Sequence, residues 1–173
     1  RRWRAWRRWS RRELTPAVRR WLLDEGSLTA RLVAASDGDF RVRLIAQSWR
    51  RPLVDEARVL GLRHGERALV REVALECHGI PWVFARSVVP AATLRGELRH
   101  LRRFGSRSLG ALLFARPGTV REAFELARID PGDALLPAPL GASQVAWARR
   151  SVFRLRHRPL LVQEVFLPAC RLG

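Results

Sequence analysis

A chain of 173 residues, 47% of them apolar, is long enough for one domain with a sizeable core and short for two. Its formal net charge is +17, from 33 basic and 16 acidic residues, yet every basic residue is Arg, and Lys, Asn, Tyr and Met are absent. Those four have A/T-rich codons and Arg and Ala have G/C-rich ones, so a G/C-biased genome explains the arginines at least as well as a nucleic-acid partner does. With no Met anywhere, the first residue written is not expected to be the original start. No apolar run is long enough to span a bilayer, and there is no signal peptide with an apolar centre. Cys77 and Cys170 are too far apart for a metal-ligand or redox spacing, so a soluble protein of a reducing cytoplasm is the simplest setting.

Residues 1–13, RRWRAWRRWSRRE, are the one biased segment. Alternating Arg and Trp suits a nucleic acid or a lipid surface, but the reading favoured is a disordered basic tail ahead of a domain at 14–173. Thr15 and Pro16 open a helix that presents Val18, Trp21 and Leu22 and stops by Gly26. Ser27 caps a second helix carrying Leu28, Leu32 and Val33. After a turn at Asp37-Gly38, the alternation of Phe40, Val42, Leu44 and Ala46 predicts a strand reaching Trp49. Pro52 to Glu66 reads as an irregular connector.

Ala68 to Pro90 predicts a hairpin turning at His78-Gly79. One face of its first strand is Leu69, Arg71, Val73, Leu75 and Cys77, which puts Arg71 on the apolar side. A two-residue loop pairs Cys77 with Ile80 and sets Arg71 opposite Arg86, where an anion would have to lie between the guanidiniums. A three-residue loop pairs Arg71 with Ser87 instead. Snorkelling or internal ion pairs are the competing explanation for arginines on such a face.

Pro90 to Leu101 passes from loop into helix, and Ser108 to Phe114 is a further helix. Val120 to Arg128 fits helix or strand. Asp130 to Gly141, with its prolines and glycines, reads as a surface loop. Trp147 to Leu155 and Leu160 to Leu167 form a second hairpin around His157-Arg158-Pro159. In its last strand Glu164 sits between Val162 and Phe166, with Leu161, Gln163, Val165 and Leu167 on the other face, so a buried carboxylate is expected. An Arg–Glu pair between the hairpins is the common structural outcome, and a functional pair the rarer one. No nucleotide-binding, serine-hydrolase or metalloprotease motif is present. His64, His78, His100 and His157 suggest no ligand cluster, and nothing calls for a metal or an organic cofactor.

The blocks WLLDEGSLTARL (21–32), REVALECHGIPWVFARSVVPAATLRG (71–96), SLGALLF (108–114), WARRSVFRL (147–155) and RPLLVQEVFLP (158–168) resemble the chorismate lyase family, in its order, over about residues 14 to 170. The resemblance implies an α+β fold, a single antiparallel sheet of about six strands with helices packed over it, and a strand at Val120 to Arg128. It implies cofactor-independent conversion of chorismate to 4-hydroxybenzoate and pyruvate for ubiquinone biosynthesis. In the family pattern Arg71 binds the ring carboxylate, Glu164 meets the ring hydroxyl and Leu109 contacts the ring; Leu28 stands where the family has a methionine, another apolar ring contact. Arg86 matches a second arginine, suited to the enolpyruvyl carboxylate. Whether Glu164 transfers a proton or orients the substrate stays open. The partners implied are chorismate and 4-hydroxybenzoate, with no nucleic acid and a monomeric state. The 130–141 loop is longer than in the family pattern, and the Arg/Trp start has no counterpart there.

The alternative is a non-catalytic small-molecule-sensing domain related to the effector domains of transcription regulators. Only about 13 residues precede the first helix, too few for a winged-helix module.

Overall fold

The structure, a computed structural model, describes residues 1–140 and 144–172. Its centre is the hairpin of β3 (Ala68–Cys77) and β4 (Ile80–Pro90). His78 and Gly79 take φ of 53° and 72°, the mirror-image turn whose twist matches right-twisted strands. Cys77 pairs with Ile80 as the two-residue loop requires, but the register then shifts between Leu75 and Glu76. Pro81 lies at the shift and has no N–H to give the ladder, so the pairing resumes one residue later, at Leu75 with Val83. Arg71 consequently faces Ser87, and Arg86 faces Glu72. The expected Arg71–Arg86 juxtaposition is corrected: a one-residue slip sends a side chain to the other face of the sheet.

The remaining strands are β1 (Arg4–Ala5), β2 (Phe40–Arg50), β5 (Thr119–Arg121), β6 (Glu125–Ile129), β7 (Ala146–Leu155) and β8 (Arg158–Phe166). All are antiparallel, in the order β1-β6-β7-β8-β4-β3-β2, with β5 beside β6 on the same edge of β7. The sheet thus has eight strands, because 120–128 splits into two short strands and the chain start adds another. In β2 the register shifts between Leu44 and Ala46, so the predicted alternation resets and Gln47 and Trp49 come opposite Arg71 and Leu69.

Helices α1 (Pro16–Leu22), α2 (Leu28–Ala35) and α4 (Leu109–Ala115) pack on one face of the sheet. Thr15 caps α1 with Pro16 at its first position, and Ser27 and Ser108 cap α2 and α4, as their sequences predict. Helix α3 (Val54–Leu60) lies on the other face. The sequence reading assigned that stretch to a connector, but Glu56 accepts the Leu53 N–H at 2.8 Å and Gly61 closes the helix at φ 66°.

Two further expectations change. Leu135 and Leu136, within the supposed surface loop, are buried against Ile129, Val165 and Leu167; Gly141 lies outside the described residues. Likewise the Arg/Trp start is not a wholly loose tail: Arg4–Ala5 is a two-residue edge strand and Trp6–Arg8 a single helical turn. Arg4 pairs with Leu126, and the Trp6 N–H donates to the Phe124 carbonyl at 3.2 Å. Trp9 meets Trp147 edge-on at 4.9 Å, Arg4 stacks over Trp9 at 4.5 Å, and Arg150 over Trp3 at 4.7 Å. Arginine stacked on tryptophan keeps the segment attached despite its charge. Deleting residues 1–9 is expected to remove about 3 kcal/mol of stability and lower Tm by about 6–12 °C in a thermal melt. An unchanged Tm would show that the segment contributes nothing to the fold.

Candidate active site

Side chains of the central strands line up in cross-strand rows beneath α2 and α4, and two adjacent rows carry the charge. In one, Arg71 of β3 stands opposite Ser87 of β4, Ser87 opposite Val162 of β8, and Val162 opposite Ser151 of β7. Arg121 of β5, opposite Phe153 in the neighbouring row, reaches the Ser151 end of this one and donates from Nε to Ser151 Oγ at 3.2 Å. The next row runs Val73, Ala85, Glu164, Arg149. Two residues along a strand separate the rows, about 7 Å. Beyond it Leu75, Val83, Phe166 and Trp147 make an apolar wall. Ser87 and Ala85 are small at the middle of each row, and that is where space opens.

The result is a cavity of about 530 Å3, counting the space at its mouth, with Leu28 at the start of α2 and Leu109 at the start of α4 in its lining. Thr29 Oγ1 and Ser108 Oγ share a hydrogen bond of 2.7 Å, which ties the two covering helices together.

Arg71 is 5% exposed, and its guanidinium donates to the carbonyls of Gly105, at 3.2 and 2.8 Å, and Arg107, at 2.7 Å. Among the described residues it has no carboxylate partner. Burial pulls its pKa down to about 10, so it is a full cation at neutral pH, held by backbone carbonyls and by the Phe104 ring 5.5 Å from its Cζ. A guanidinium fixed in this way is a ready receptor for a carboxylate.

Glu164 accepts at Oε2 from Arg149 Nε at 2.5 Å. Arg149 is 1% exposed, and its Nη1 donates to the carbonyls of Trp21, Leu22 and Asp24, where α1 ends. It therefore satisfies the C-terminal carbonyls of a helix and holds the glutamate with the same side chain. Glu164 Oε1 has no donor among the described residues, and Glu164 lines the cavity. The carboxylate is aimed by one oxygen and available through the other. Its partner is Arg149, not Arg71, so the expected pair between hairpins is replaced by one within the second hairpin.

Arg86 belongs to the opposite face. Its Nε and Nη2 grip Glu56 at 2.7 and 3.0 Å, and its Nη1 donates to Glu72. Gln163 Nε2 donates to Glu56 at 2.5 Å, and Arg50 Nη2 reaches Glu72 at 3.1 Å. All the charge on Arg86 is used within the protein, and it is absent from the cavity lining. The structure brings Leu28, Arg71, Leu109 and Glu164 to one cavity and excludes Arg86.

The sequence model for the family described as chorismate lyase matches residues 3–172. The chain belongs to the chorismate lyase family. It is 50% identical over 160 residues to a protein of Azoarcus sp. named "Probable chorismate pyruvate-lyase", covering 88% of this chain and 84% of that one. A protein of the same name from Methylococcus capsulatus is 46% identical over 151 residues, covering 86% and 93%. Among solved structures, the effector domain of PhnF from Mycobacterium smegmatis is similar with a TM-score of 0.59 and 22% identity, over 83% of this chain and 90% of that one. That likeness is one of fold.

In this chorismate lyase family member two charged cavity residues escaped the sequence reading, Arg121 and Arg149. Arg149 was legible in principle. The tight turn at Arg156-His157 pairs Leu155 with Arg158, and counting back along both strands puts Arg149 opposite Glu164. Arg121 gave no such signal, because β5 is three residues long and joins the sheet only through β7. No helix among the described residues is long and apolar enough to cross a membrane.

Proposed function

We propose that the cavity converts chorismate to 4-hydroxybenzoate and pyruvate. The observation that carries this reading is the pairing, on adjacent rows, of a buried guanidinium without a carboxylate and a carboxylate with one oxygen open. Chorismate places a ring carboxylate at C1 and a hydroxyl at C4, across the ring from one another. Arg71 takes the C1 carboxylate, Glu164 Oε1 meets the C4 hydroxyl, and Leu28 and Leu109 lie against the ring. In the reaction the C4 proton leaves, the electron pair of its C–H bond forms the second bond of a C3=C4 double bond, and the C3–O bond to enolpyruvate breaks. Enolpyruvate then takes a proton and becomes pyruvate.

Aromatisation supplies the driving force, so the protein has to orient a dianion, move one proton and stabilise the departing anion. None of these tasks needs a cofactor. The covering helices exclude water and make product release a slow step in this reading. The proposal extends to a monomeric enzyme of the cytoplasm that supplies 4-hydroxybenzoate to ubiquinone biosynthesis.

The test is to incubate the purified protein with chorismate and to assay both products. Equal amounts of 4-hydroxybenzoate and pyruvate are expected. Chorismate bound but recovered intact would favour a ligand-sensing domain, a reading suggested by the shared fold of the PhnF effector domain.

A further inference from the structure

Chorismate carries two carboxylates, and the reading above uses one. Arg86 is committed to Glu56 and Glu72 on the other face, so the second carboxylate needs another receptor. Arg149 is held by Glu164, and Arg150 by Asp55 and Glu125. Among the arginines lining the cavity, Arg71 and Arg121 are the two without a carboxylate partner among the described residues. Two unpaired cations facing one cavity match a dianion in charge.

The surroundings of Arg121 sharpen the match. Its Cζ lies 4.0 Å from the Phe124 ring centroid, 5.1 Å from that of Phe153 and 5.7 Å from that of Phe114. Three rings hold the guanidinium plane without consuming its donors. Nε is bound to Ser151; Nη1 is sealed from solvent with no hydrogen-bond partner. Nη2 has no hydrogen-bond partner among the described residues and is not among the sealed atoms. An unpaired cation among phenyl rings opposes folding, and an anion delivered by a ligand offsets that cost.

Position agrees as well. Arg121 pairs in register with Phe153, and its side chain reaches back to Ser151, the β7 end of the row that Arg71 begins, with strands β4, β8 and β7 between their own strands. Four strand spacings make about 19 Å between backbones, and two inward-reaching arginine side chains reduce the gap to small-molecule size. Burial lowers the pKa of Arg121 to about 10, while the charge of Glu164 raises it and that of Arg149 lowers it, so Arg121 shares the field of the Glu164 row. The enolpyruvyl group is on C3, next to the C4 carbon assigned to Glu164.

We propose that Arg121 is the receptor for the enolpyruvyl carboxylate, and that with Arg71 it selects a dicarboxylate over a monocarboxylate. As the C3–O bond breaks, the negative charge of the leaving enolpyruvate grows beside this guanidinium. The proposal rests on the chorismate reading and goes beyond it by naming the residue that recognises the leaving half of the substrate.

The experiment compares wild type with Arg121→Met, Arg121→Gln and Arg121→Lys, using chorismate and 4-hydroxybenzoate. The product keeps the ring carboxylate and lacks the enolpyruvyl one. In Arg121→Met, kcat/KM for chorismate is expected to fall about 100-fold while Kd for 4-hydroxybenzoate stays within about threefold. Tm of Arg121→Met is expected to hold or rise, since an unpaired buried charge has gone. Arg121→Lys should recover part of the loss and Arg121→Gln little of it. An equal loss for both ligands, unchanged kcat/KM, or a lowered Tm with the 4-hydroxybenzoate affinity lost would overturn the assignment.

If wild type binds chorismate without converting it, the lyase reading fails, and the ratio of chorismate to 4-hydroxybenzoate affinity still tests Arg121. If wild type binds neither ligand, both readings fall.

Discussion

Arg86→Met is expected to remove about 3–5 kcal/mol of stability and to lower Tm by about 6–20 °C, with 4-hydroxybenzoate affinity of the folded fraction near that of wild type. Glu56 is 0% exposed and Glu72 7% exposed, and Arg86 is the cation shared by both. Methionine fills much of the same volume but leaves two carboxylates facing each other in the sheet interior. Glu56 would keep the Leu53 N–H and Gln163, and Glu72 would keep Arg50, which together answer only part of the charge. Uncompensated buried charge is what makes breaking such a cluster costly; replacing the whole cluster by apolar residues costs far less. Adding Glu56→Leu and Glu72→Leu to Arg86→Met should therefore return much of the lost stability. Chemical denaturation and a ligand titration on each variant decide the matter. A stable Arg86→Met protein that has lost ligand affinity would put Arg86 back in the binding site and overturn its placement on the far face.

The fate of Arg86 shows where the sequence stops being readable. Alternation gave the faces of β3 and β8 correctly, because period-two patterning follows from the pleat and needs no partner strand. It put Arg71 and Glu164 on the apolar side of their strands without any knowledge of the sheet. Relating two strands requires the register, and register depends on bulges. Pro81 signalled the disturbance, but the turn residues His78-Gly79 alone favoured the undisturbed count.

Helix starts at Thr15, Ser27 and Ser108 were legible because capping is a local contact. Helix α3 was hidden because its cap is the Glu56 side chain returning to Leu53, with no Ser, Thr, Asp or Asn at the start. The start of the chain was misjudged for a different reason. Composition reported its charge, whereas its attachment depends on rings stacking under guanidiniums of other segments, as Arg150 does over Trp3. Arg121 was invisible for the same reason, since its meaning comes from three phenylalanines and a cavity that the sequence does not bring together.

Glu164→Gln is expected to lower kcat about 100-fold or more while 4-hydroxybenzoate still binds within about tenfold of wild type. Arg149 Nε offers a donor to one side-chain oxygen, and it is fixed in turn by the carbonyls of Trp21, Leu22 and Asp24. A glutamine here would turn its carbonyl oxygen to Arg149, since a guanidinium only donates, and leave its NH2 facing the cavity. The ring hydroxyl would lose an acceptor and gain a donor, which preserves a hydrogen bond through the hydroxyl oxygen. What disappears is the lone pair able to take a proton, together with a negative charge that Arg149 would then lack. Binding and proton transfer should therefore separate. Chorismate carrying deuterium at C4 provides the second readout. If loss of the C4 proton becomes limiting in Glu164→Gln, its kinetic isotope effect should exceed that of wild type, for which the proposed reaction makes product release the slow step. Near-normal turnover in a folded Glu164→Gln protein would exclude proton transfer by Glu164. Its role would then be to position the substrate, and Arg71 and Arg121, the cavity arginines without a carboxylate partner among the described residues, would carry the electrostatic part of the reaction.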